Sequence, residues 1–199
     1  MSVAYMLAFA AAAAADAASH QNDKLAVEVM HNYGACVAKL DKSRARQLLA
    51  MDYRSDEYTT ALIKLADRNK RCVPPGGQLR FQPILFAGAV AEELLKSGGR
   101  DQDLVQRLSV DPVKIAAPVR SDLDDMALCT ITRKPAESAQ LLATRPVSKE
   151  ESAVIRSLAP TLTDCLRHDL KATFNVPALR SIIVLNAWRL ANAISKAEQ

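Results

Sequence analysis

Three observations predict an all-α protein. Only 5% of residues are aromatic and glycine is scarce, whereas alanine, leucine, lysine, arginine, glutamate and glutamine are abundant, a composition that favours helices over strands. Sliding the chain along itself by ninety-three residues brings two sets of helically spaced apolar positions into register. Cysteine recurs at one interval within each set, as Cys36 and Cys72 and again as Cys129 and Cys165. The expected architecture is two tandem four-helix repeats packed together, each stapled by one disulfide.

The register needs no gap between the first and last cysteine of each unit. It aligns Gln47-Leu48-Leu49-Ala50 with Gln140-Leu141-Leu142-Ala143, Ser55 and Glu57 with Ser148 and Glu150, and Leu65-Ala66 with Leu158-Ala159. Beyond it Phe81 meets Phe174, and one inserted residue brings Pro83-Ile84-Leu85 against Pro177-Ala178-Leu179. The chain therefore divides into 1–17, an export signal; 20–97, the first helical repeat; 98–118, a linker with a short helix; and 119–197, the second repeat.

Each unit opens with the helix that carries its first cysteine, near 23–40 and 121–133. A short second helix holds QLLA, with Asp41 as the expected N-cap in one copy and Pro135 in the first turn of the other. Ser55 and Ser148 mark the start of the third helix, and Ser148 with Glu151 fits a capping box. Leu62, Leu65, Asn69 and Cys72, like Ile155, Leu158, Leu162 and Cys165, share one helical face, which puts the second cysteine on the core side. Pro160 lies inside this helix in the second copy and predicts a kink or break near Ala159.

The fourth helix, near 81–96 and 177–196, opens with a proline, which is tolerated where the missing amide would be unpaired anyway. Its second copy is more apolar than one buried face requires, through Ile182, Ile183, Val184, Leu185 and Trp188. The first copy offers Ala87-Gly88-Ala89 and Ala91, small enough for a close neighbour. Pairing these two helices at the centre of the molecule follows. Between the units, Ser97-Gly98-Gly99 ends the first repeat, 101–109 adds a short helix, and 111–118 is a connection.

A helix up, a short one down and a third one up return the chain to the end where it began, so Cys36 reaches Cys72 and Cys129 reaches Cys165. Of the three pairings open to four cysteines, the duplication selects this one. Each bridge closes a loop worth about 4 kcal/mol in the chain-entropy treatment. Buried free thiols are the competing reading, and the repeated interval weighs against it. Zinc is weaker still, because Cys165 with His168 finds no second pair.

Residues 3–15 form an uncharged apolar block followed by small residues, and Ala15-Asp16-Ala17 provides a signal-peptidase site. The block is too short to span a bilayer, and its amino-terminal flank lacks Lys and Arg. Cleavage after Ala17 removes one acid and raises the net charge from +4 to +5. Export and disulfides support each other, because disulfides persist outside the cytosol. The expected location is periplasmic or secreted, with no transmembrane helix after cleavage.

Charges are otherwise interleaved, with one concentration at Lys64, Arg68, Lys70 and Arg71, a solvated face or a patch for an anionic partner. There is no specific nucleic-acid signal. The sequence shows no phosphate loop, H-E-x-x-H, EF-hand, C-x-x-C pair or haem motif, so neither a metal nor a cofactor is expected. The acidic run Asp122, Asp124 and Asp125 favours a helix N-terminus that Ser121 caps. His20, His31 and His168 lack a nucleophile motif, and Glu92-Glu93 reads as a solvated pair.

An inventory without reactive constellations points to a non-catalytic binding or structural role towards a protein or envelope partner. One alternative is a carrier of a small apolar ligand held between the repeats, facing Ile182, Leu185 and Trp188. Another is a hydrolytic enzyme using Glu92, Glu93 or His168.

Overall fold

A computed structural model describes residues 23–73, 82–98, 101–111, 118–167 and 173–197. Residues 1–17, expected to be an export signal, most of the connection 111–118 and His168 lie outside them. Among the described residues every regular element is helical: α1 (23–40), α2 (Lys42–Ala50), α3 (Asp56–Arg68), a 3₁₀ turn (Lys70–Cys72), α4 (Pro83–Lys96), α5 (Asp101–Leu108), α6 (Asp122–Arg133), α7 (Pro135–Ala143), α8 (Lys149–Cys165) and α9 (Val176–Ala197). The first unit comprises α1 to α4 and the second α6 to α9.

Both expected disulfides are present, Cys36–Cys72 and Cys129–Cys165, each with Cα atoms 5.8 Å apart. Helices α4 and α9 pack on each other at the centre, and α6 and α5 also lie against α9. Close approach is built into the sequence at Gly88, where a Cβ would fall 2.6 Å from the Cβ of Ser181 and 2.9 Å from its Cα. Gly34 does the same for α1 against α4, since a Cβ there would meet that of Ala89 at 2.5 Å. The side chains of Phe86, Val90, Ile183 and Leu190 then close one hydrophobic core that runs through both units. Tyr33 ties α1 to this core, its ring centroid 5.3 Å from that of Phe86 and its hydroxyl donating to the carbonyl of Ala66.

Caps follow the sequence at Ser55, Ser121 and Ser148, whose hydroxyls accept from the amides of Tyr58, Asp124 and Glu151. Pro83 and Pro135 occupy first-turn positions as expected. Asp41 differs: its carboxylate does not cap α2 but accepts from Arg44 one turn on. The expected capping box is also shifted, because Glu151 Oε2 accepts from the amide of Val147 rather than that of Ser148. Val147 has φ 53°, left-handed backbone that a β-branched residue adopts only under constraint.

Two further expectations are corrected. In the first unit the α-helix stops before the cysteine: the Asn69 side chain donates to the carbonyl of Leu65, competing with the ladder, and the chain tightens into the 3₁₀ turn that carries Cys72. In the second unit, of the kink or break expected near Ala159, the break is absent, and α8 continues to Cys165. Pro160 and Arg156 both lie on the exposed face, where water can serve the carbonyl that loses its amide, while Val154, Leu158 and Leu162 stay buried on the other side.

Candidate functional site

A cavity of about 310 Å³ lies between the two units. The face of α9 that carries Ile182, Leu185, Asn186 and Arg189, one helical stripe, forms one wall. Opposite it α4 contributes Pro83, Ile84 and Ala87, and the first unit adds the rings of Tyr53 and Tyr58. Leu123, Asp124 and the cap Ser121 complete the lining from the start of α6. The surface is chiefly apolar, and Ile84, 40% exposed, stands where lining meets solvent. A cavity of roughly half this volume is enough for one benzene ring.

The polar lining is a connected cluster. Asp124 Oδ1 accepts from Asn186 Nδ2 at 3.0 Å and from an Arg189 terminal nitrogen at 3.1 Å, and its Oδ2 accepts from the Tyr53 hydroxyl and the Arg120 amide. The Tyr53 oxygen also lies within hydrogen-bond distance of the Ser121 hydroxyl, at 2.8 Å, and the Arg189 guanidinium carbon sits 4.9 Å from the centre of the Tyr53 ring. Burial pushes the Tyr53 and Tyr58 hydroxyls above their ordinary range. It pulls Arg189 down, and the Asp124 carboxylate opposes that by favouring the cation. Three buried atoms of this cluster remain without a hydrogen-bond partner: Arg120 Nη1, Arg189 Nε and Asn186 Oδ1.

The duplication gives this site a counterpart. In the register of the repeat Asp124 corresponds to His31, Asn186 to Glu92, Ile182 to Gly88 and Pro83 to Pro177. His31, Glu92, Gly88 and Pro177 line a second space at the other side of the α4–α9 contact, but it measures only about 20 Å³, the room of a single water. Arg180 closes it. Its guanidinium donates to both oxygens of Glu92, to Glu151 Oε1, and to the hydroxyl and carbonyl of Thr144, so all five N–H groups are used.

Glu92 is therefore no solvated residue, contrary to the sequence reading. It is 1% exposed, and His31 at 3.2 Å and Lys96 at 2.6 Å add to its contact with Arg180. Burial raises its pKa, but the His31 and Arg180 contacts outweigh burial and hold it at about 2. Its neighbour Glu93 pairs at the surface with Lys39, 3.6 Å away. The residues expected to face a ligand separate: Ile182 and Leu185 line the larger cavity, whereas Trp188 is buried in the core outside that lining. Lys64, Arg68, Lys70 and Arg71 are exposed, with Lys70 paired to Asp67 at 3.4 Å.

Asp124, Asn186, Arg189 and the two tyrosines were not singled out as site residues by their sequence. Asn186 and Arg189 sit three apart amid the aliphatic run of α9, and polar residues in an otherwise apolar helix are the signal that marks them. Among the described residues no group of His, Cys, Asp or Glu side chains is placed to hold a metal ion, and no helix is long and apolar enough to cross a membrane. Fold and site together define a disulfide-stapled, duplicated helical bundle with an open cavity between the repeats among the described residues. No protein-family model, curated protein or solved structure matches the chain.

Proposed function

We propose that this is an exported binding protein that carries a small, largely apolar ligand between its two helical repeats. The observation that supports it above others is the inequality of the two duplicated spaces: Arg180 fills one with an ion network, while the other is left at about 310 Å³ with an apolar lining. Close packing is the rule in protein interiors, and an unfilled space of this size forfeits dispersion contacts. A ligand restores them. The role is binding without chemistry, and it narrows the partner from a macromolecule to a small molecule. Export rests on the two disulfides, which an oxidising compartment sustains.

Native mass spectrometry of the protein purified without detergent from an oxidising compartment tests this directly. The expected spectrum shows adducts of small apolar molecules that organic extraction releases, and an Ile182→Trp variant, with the cavity filled, lacks them. Identical ligand-free spectra for both proteins, after delipidation and incubation with an extract of the source compartment, would sink the carrier reading. Intact mass before and after reduction and alkylation reads the cleavage site and both disulfides in the same sample.

A further inference from the structure

We infer that the first unit docks its α2–α3 face on an anionic lipid bilayer, where the carrier collects or releases its apolar ligand. This rests on the carrier reading, which makes a lipid phase the reservoir of that ligand. The duplication supplies the comparison: α2, α3 and the 3₁₀ turn hold seven Lys and Arg against three Asp and Glu, whereas α7 and α8, their counterparts in the second unit, hold two against four. At none of the seven equivalent positions does the second unit have a cation. Arg44 corresponds to Glu137, Lys64 to Ser157, Arg68 to Thr161 and Arg71 to Asp164. The same helical plan folds without these cations, so the fold does not explain them. Lys64 and Arg68, four residues apart on α3, even repel each other.

The charges are available to a partner. Lys42 and Arg46 on α2, Lys64 and Arg68 on α3, and Arg71 in the 3₁₀ turn are all exposed and make no ion pair among the described residues. Because α2 packs on α3, the two sets lie on adjoining helices. Of the three acids, Asp56 and Glu57 occupy the first turn of α3, about two turns before Lys64, and Asp67 is neutralised by Lys70 at 3.4 Å. Ile63, 49% exposed, stands next to Lys64 in the chain, and Leu40, 47% exposed, lies just ahead of α2. Cations accompanied by exposed aliphatic side chains suit a bilayer surface, whose head groups carry the negative charge and whose acyl boundary accepts apolar groups. The exposed aliphatic pair and the apolar ligand decide for lipid over an acidic protein.

Sedimentation of the full disulfide-bonded chain with vesicles tests this, using phosphatidylcholine alone and phosphatidylcholine mixed in equal parts with phosphatidylglycerol. The chain should bind the mixed vesicles and leave phosphatidylcholine in the supernatant. Each Lys or Arg near an anionic surface strengthens partitioning about fivefold, so the triple variant Lys64→Ala, Arg68→Ala, Arg71→Ala should bind the mixed vesicles about a hundredfold more weakly. Alanine is the best helix former, so the exposed substitutions keep the fold. Lys149→Ala with Arg156→Ala, on α8, should bind like the unmodified chain. About 1 M salt, which shortens the screening length to about 3 Å, should release the unmodified chain from the mixed vesicles. Equal binding to both kinds of vesicle, binding to neither, or undiminished binding by the triple variant overturns the docking surface. So does tighter capture by polyglutamate than by the mixed vesicles, which would assign the face to an acidic protein. The triple variant should still carry apolar adducts in its native mass spectrum; their absence from it and from the unmodified chain alike would sink the carrier reading, whichever vesicles are bound.

Discussion

Glu92 is the residue at which local chemistry has the widest reach, because it is a charge buried at the contact between the two units. Buried charges survive only when paired and hydrogen-bonded, and here both oxygens are occupied twice, by Arg180 together with Lys96 on one and His31 on the other. A carboxylic acid held at about 2 in the folded chain against an ordinary value of 4.5 stabilises the fold at any pH above the ordinary value. That contribution, about 3 kcal/mol, disappears as pH falls from about 4.5 towards 2. Denaturant midpoints between pH 6 and 2 should therefore drop steeply in this window. Glu92→Gln should flatten the dependence and cost about 3 kcal/mol at pH 7, where it leaves Arg180 with a neutral partner. An unchanged acid profile in that variant would show that other carboxylates govern acid unfolding.

At the scale of elements, the pairing of α4 with α9 was legible because small residues on one helix faced an aliphatic excess on the other. The cap serines were legible too, as their chemistry is local. What escaped the sequence was decided by tertiary surroundings. Pro160 looks like a breaker until its face is known to be solvated, and Glu92 looks like a surface residue until α9 brings Arg180 against it, eighty-eight positions away. Gly88 tests the helix pairing. Alanine in a helix is preferred to glycine by about 1 kcal/mol, but its Cβ would lie 2.9 Å from the backbone Cα of Ser181, which no rotamer change relieves. Overpacking of this kind costs about 3 kcal/mol, so the net effect of Gly88→Ala should be a loss of about 2 kcal/mol. Thermal unfolding measures it, and a stabilised variant would mean that α4 and α9 stand further apart than described.

Over the whole molecule the duplication has produced two halves that share a covalent plan but not an interface chemistry. The thirty-six-residue cysteine interval told which sulfurs meet, since connectivity and helix lengths alone return the chain to its starting end. It carried no information about which inter-repeat space stays open, because that depends on Arg180 and on Phe86, its counterpart in the repeat register, which lies buried in the core instead. The core is continuous from Tyr33 and Phe86 through Ile183 to Leu158, so the halves share burial and neither can melt without exposing the other. Replacing both cysteines of either bridge with alanine should thus cost about 4 kcal/mol, a large fraction of the stability of a chain this size. Each doubly substituted protein should still unfold in one transition, with near-ultraviolet signals from Trp188 in the second unit coinciding with loss of helix overall. Were the Cys36 and Cys72 variant to lose part of its helix first while Trp188 kept its native signal, the shared core would not couple the halves, and a cavity formed between them would be too loosely held to select a ligand.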